Sequence, residues 1–103
     1  MSEYIALTET TYYILLSLYR PLHGYGIMQR TAELSGGRVK LAAGTLYGAL
    51  NAMVERGWIA LLPGEGRKKE YRLTPRGLEI LKKELERLRE LVASGDLVMK
   101  EEA

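Results

Sequence analysis

Apolar residues recur along this chain with a helical period over most of its length, and with a period of two in one short stretch. The clearest segment is Ala43 to Gly57. There Leu46, Leu50, Met53 and Val54 fall at i, i+4, i+7 and i+8 and line one face of a helix. The opposite face reads Gly44, Gly48, Asn51, Ala52 and Glu55, with Thr45 and Tyr47 on its flanks. An ordinary solvated face would carry Lys and Glu. This one is stripped to small residues, a shape that lets a partner come close. Gly57 is placed to end the helix in the left-handed conformation.

The pattern on either side predicts three more helices. Thr8 or Thr10 caps a first helix through about Tyr19, with Glu9 near its positive end. Tyr12, Tyr13, Ile14, Leu15, Leu16, Leu18 and Tyr19 leave that helix almost no polar face, so both of its sides need cover. The domain core supplies one side, and a second subunit the other. Arg20-Pro21-Leu22-His23-Gly24 breaks the pattern. A second helix runs from about Tyr25 to Leu34, with Ile27, Met28, Thr31 and Leu34 inward, and ends at Ser35-Gly36-Gly37. Arg38-Val39-Lys40-Leu41 then leads into the helix at 43–56. Two helices joined by a short glycine-containing turn, the second with a bare face, form a helix-turn-helix pattern.

After Gly57 the period changes to two. Trp58 to Leu62 and Lys69 to Leu73 read as paired strands, with a loop from Pro63 to Lys68 between them. Arg67, Lys68 and Lys69 put three positive charges at and beside its tip, which makes a basic wing. Thr74-Pro75 opens the last helix. Its Leu78, Leu81, Leu85, Leu88 and Val92 are spaced 3, 4, 3, 4, a seam of the coiled-coil kind, and Ser94-Gly95-Asp96 is read as its end. Two heptads are too few for an autonomous coiled coil, so the first helix, through Tyr12 and Leu16, is expected to share a homodimer interface. The expected fold is therefore mainly α with a small two-stranded β-wing. A winged helix-turn-helix occupies residues 1–74, and a dimerisation helix and tail occupy 75–103.

Composition narrows the function. The chain has 103 residues, enough for one modest core, and 47% of them are hydrophobic. Net charge is only +2, so any nucleic-acid argument rests on where the 15 basic residues sit. Cysteine is absent, which excludes disulfides, thiol catalysis and cysteine-held metal. No apolar run approaches the ~20 residues of a membrane span, and the first residues lack the pattern of a signal peptide. A cytoplasmic protein without cofactor is expected. No nucleophile–histidine pairing, phosphate-binding loop or carboxylate pair supports an enzyme. His23, the one histidine, has no ligand companions and is expected to make a structural hydrogen bond at the start of the second helix.

Candidate DNA contacts are Gly44, Thr45, Tyr47, Gly48 and Asn51 on the bare face, with Lys40 and Arg38 before it and Arg67, Lys68 and Lys69 on the wing. Two glycines inside a helix cost ~1 kcal/mol each against alanine, which favours a functional reason for them. The alternative is a winged-helix module that binds protein and has lost DNA binding.

Taken together, YYILLSL at 12–18, HGYGIM at 23–28, GTLYGAL at 44–50, Gly57-Trp58-Ile59, and RKKEYRLT at 67–74 followed by Gly77 resemble the PadR family of transcriptional regulators. The resemblance implies a homodimer that binds palindromic operator DNA, usually as a repressor released by a small-molecule effector. Tyr12, Tyr13 and Tyr19, with Trp58, are read first as core or interface aromatics. An effector pocket at the dimer interface is the alternative that the resemblance raises, and its residues are unknown. Many members have serine and proline before the GTLY stretch, where this chain has Ala42 and Ala43, so the side-chain cap of that helix is expected to be missing.

Overall fold

The structure is a computed structural model and describes residues 6–64 and 69–101. In order it contains α1 (Glu9–Ser17), β1 (Leu22–His23), α2 (Gly24–Leu34), α3 (Ala43–Glu55), β2 (Ile59–Leu61), β3 (Glu70–Leu73) and α4 (Pro75–Glu101). All four expected helices form, and local chemistry sets their ends. Thr8 caps α1 by accepting from the Thr11 N–H. Helices α2 and α3 both finish in Schellman turns, in which glycine supplies the positive φ that other residues resist. At the end of α3, Gly57 has φ 76°. Its N–H reaches the Val54 carbonyl, and the Trp58 N–H reaches that of Met53, each at 3.0 Å.

The sheet has one strand more than the pattern predicts. Its order is β1-β3-β2, all antiparallel, with Leu22 opposite Tyr71 and Ala60 opposite Arg72. β1 consists of two residues after Pro21, too few to show a period of their own; the free edge of β3 makes them a strand. The sheet thereby fastens the wing's base to the start of α2.

Ile14, Leu15 and Leu18 of the α1 segment, Ile27 of α2, Leu46, Leu50 and Met53 of α3, and Trp58, Ile59, Tyr71 and Leu81 form one buried core. Val54, expected inward, is 39% exposed, because it lies at the rim of the apolar stripe of α3. Leu34 is exposed likewise.

Helix α4 departs most from expectation. It runs through Ser94-Gly95-Asp96 without a break. Gly95 does not take a positive φ, and without that a glycine costs a helix only ~1 kcal/mol and does not stop it. The first half of α4 lies on its own domain. Leu81, expected in a seam between subunits, is buried in the chain's own core, and Tyr12 and Leu16 pack against the same core. Leu78, Leu85 and Leu88 are half-buried. From Arg89 onward the helix projects: every residue through Glu101 is exposed, including Leu91, Val92, Leu97, Val98 and Met99.

Candidate nucleic-acid interface

The outward face of α3 is open. A methyl group built on Gly44 or on Gly48 would meet nothing within 4 Å. Thr45, Tyr47 and Asn51 are exposed on the same side. Ala42 occupies the N-cap position and makes no side-chain cap bond, so among the described residues no capping side chain satisfies the first backbone N–H groups of α3. Helix dipole and unmet donors together favour an anion at this end.

The basic residues divide. Lys40, just before α3, and Lys69, just before β3, are exposed. Arg38 is tied instead to Glu9 at the start of α1, and so its guanidinium serves the link between that helix and the 36–42 loop. Arg56 lies over Trp58, 5.1 Å from the ring centroid. Arg67 and Lys68 lie outside the described residues.

Two sequence features find their partners in this region. The His23 Nδ1 accepts from the Gly26 N–H at 3.0 Å and caps α2, the structural role expected of it. Tyr47 is only half open, at 45% exposure, because its phenol rests against Gly24, the first residue of α2. The pattern of apolar positions gives no sign of that contact. A glycine at the start of a helix, where alanine is preferred, is the available signal.

Tyr12, Tyr13, Tyr19 and Trp58 do not share one pocket. Trp58 is buried, with one edge on a cavity of about 320 Å³ beside Leu7, Ala49, Ala52 and Met53. Tyr19 lines a separate groove with Pro21, Thr74, Pro75 and Leu78. Tyr12 and Tyr13 line a third, with Glu84 and Arg87. No helix among the described residues is long and apolar enough to cross a membrane.

The fold is that of a winged-helix protein of the transcriptional-regulator class. The sequence profile of the Transcriptional regulator PadR-like family matches residues 13–83, and the chain belongs to that family. A PadR family transcription regulator from hypervirulent Clostridium difficile superimposes with a TM-score of 0.75 at 22% identity, covering 89% of this chain and 99% of that one. Bacillus subtilis PadR, solved in complex with operator DNA, gives a TM-score of 0.62 at 29% identity over 73% of this chain and 45% of that one. An uncharacterized 37.1 kDa protein from a Streptomyces fradiae transposon is 41% identical over 64 residues. The match spans 62% of this chain but only 18% of that protein.

Proposed function

We propose that this chain is a cytoplasmic, homodimeric repressor that binds a palindromic operator in double-stranded DNA and is released by a small-molecule effector. In this reading α3 enters the major groove, where Gly44 and Gly48 let the helix approach closely and Thr45 and Asn51 face base edges and phosphates. Lys40 and the wing residues Arg67, Lys68 and Lys69 contact the backbone. The observation that carries the reading is the empty space over Gly44 and Gly48, on a helix that tolerates their cost in stability. The likeness to a relative solved on operator DNA supports it.

Dimerisation is supported by the projecting apolar half of α4, where Leu91, Val92, Leu97, Val98 and Met99 have nothing beneath them among the described residues. A second copy would bury them and set two α3 helices about one DNA turn, ~34 Å, apart.

The test is fluorescence anisotropy with DNA from upstream of the protein's own gene, against a scrambled duplex, at two salt concentrations. The expected result is a preference for the native DNA and an affinity that falls steeply with salt. Lys68→Ala is expected to weaken binding to all sequences and to lower the salt slope by about one. Absence of binding at both salts would favour the protein-interaction module, a reading that the low net charge of +2 and the engagement of Arg38 by Glu9 also accommodate.

A further inference from the structure

Tyr47 stands on the flank of the bare face of α3, yet much of its ring faces the protein. A methyl group on Gly24 would lie 2.3 Å from the Tyr47 hydroxyl oxygen, 2.8 Å from Cζ and 3.2 Å from Cε1. The phenol therefore sits directly on the bare backbone of the first residue of α2. Helix α2 packs more extensively on α1 than on α3. Beyond the shared core around Ile27, Leu46 and Leu50, the Gly24–Tyr47 contact lies at the outer edge of the α2–α3 junction. The same phenol lies near Tyr71 of β3, whose ionisation is pushed up by burial and, to a smaller extent, by Tyr47. Tyr71 in turn pairs with Leu22 of β1, immediately before the α2 cap. Tyr47 thus stands where α2, α3 and the base of the wing converge.

We propose that Gly24 and Tyr47 form a seat and a key that fix how α3 is held against α2 and the wing, making Tyr47 a positioning residue for DNA recognition and Gly24 a required part of the interface. This rests on the DNA-binding reading above. The key lets a long side chain on an exposed flank act without reading a base: it sets the presentation of Thr45, Gly48 and Asn51 to the groove. A side chain at position 24 would unseat it.

Gly24→Ala separates this role from folding. Gly24 has no positive φ, and alanine is the better helix former. The three atoms nearest to the new methyl all belong to the outer part of the Tyr47 ring, which can swing toward solvent. The variant is therefore expected to melt at the wild-type temperature or above. Its affinity for the operator is expected to fall about tenfold, the order of one lost specific contact, with affinity for scrambled duplex and the salt slope unchanged. Tyr47→Phe keeps the ring on its seat and is expected to bind like wild type. Tyr47→Ala is expected to match Gly24→Ala, and the double variant to be no weaker than either, because both remove one interaction.

Wild-type operator affinity in a folded Gly24→Ala protein would overturn the proposal. So would losses that multiply in the double variant. A loss in Tyr47→Phe as large as in Tyr47→Ala would assign the hydroxyl a direct DNA contact and overturn it equally. A wild-type protein that binds no operator would overturn the DNA-binding reading itself, an outcome distinct from these three.

Discussion

Arg87 closes on Glu84 through two nitrogens, each 2.7 Å from a carboxylate oxygen, and the same carboxylate accepts from the Leu7 N–H at 3.1 Å. Glu84 is 4% exposed, so these bonds are what make its charge tolerable inside the fold. They tie the segment before α1 to the middle of α4. The Arg87 hydrogen bonds hold the Glu84 carboxyl below the ordinary value of 4.5, against the opposing effect of burial and with help from the Leu7 N–H.

A carboxyl whose ionisation is held below its unfolded value stabilises the fold above that unfolded value. The contribution is lost as pH falls through the folded value. Glu84→Gln, a mimic of the protonated form, is therefore expected to cost about 2 kcal/mol at neutral pH, the order of a hydrogen bond to a charged group. The gap to wild type should close as the solution is acidified below about 4.5. Urea unfolding at a series of pH values checks this; a gap that is constant with pH would remove the charge from the account.

Among the glycines within helices, Gly77 is the least able to change. A methyl group there would lie 1.9 Å from the Trp58 carbonyl oxygen and 2.8 Å from its carbon, both backbone atoms. That carbonyl also accepts from the Thr74 N–H, and the Thr74 hydroxyl accepts from the Gly77 N–H while donating to the Gly57 carbonyl. Nothing at this junction can swing aside. Gly77→Ala is expected to destabilise the protein by about 3 kcal/mol, at the upper end of overpacking costs, and a shifted urea midpoint with an unchanged slope would confirm it.

The helices and the capping roles of Thr8, His23 and Thr74 are legible in the sequence because each rests on neighbours within four residues. The β2–β3 pair is legible because two period-two stretches flank one short loop. Local chemistry of that kind is written in the order of the chain. β1 is not legible, since Leu22 and His23 form a strand only because β3 lies alongside. Nor is the partner of Tyr47, because Gly24 lies 23 positions away and a contact of that range leaves no period. Ser94-Gly95-Asp96 misleads for the opposite reason: residues that favour a helix end do so only if the backbone turns there. The heptad spacing of α4 does mark apolar positions, but spacing does not say which chain covers a residue. Leu81 is covered by its own.

Gly48 offers the converse of Gly77. With open space above it, Gly48→Ala is expected to raise stability by about 1 kcal/mol through helix propensity alone. The added methyl would stand in the gap between α3 and the groove floor, so operator affinity should fall by about tenfold. A rise in melting temperature together with weaker anisotropy binding would separate the two effects. If binding were unchanged, the glycine would have no part in close approach.

The projecting half of α4 makes the last prediction. Val92 is 62% exposed and Val98 51%, on a helix whose earlier turns are packed on the domain. Glutamate at both positions would leave the intramolecular core untouched, since neither side chain belongs to it. Each buried valine contributes about 1.5 kcal/mol or more to an interface, and a charge in its place adds a desolvation cost. Val92→Glu with Val98→Glu is therefore expected to weaken dimerisation by about a hundredfold or more while far-UV circular dichroism is preserved. Sedimentation velocity should then show monomers at micromolar concentration. Affinity for a palindromic operator should fall to the weak level of a single half-site, because the second α3 is no longer delivered with the first. A double variant that sediments as a dimer would place the interface elsewhere, on the half-buried face at Leu78, Leu85 and Leu88, and the same substitution test would move there.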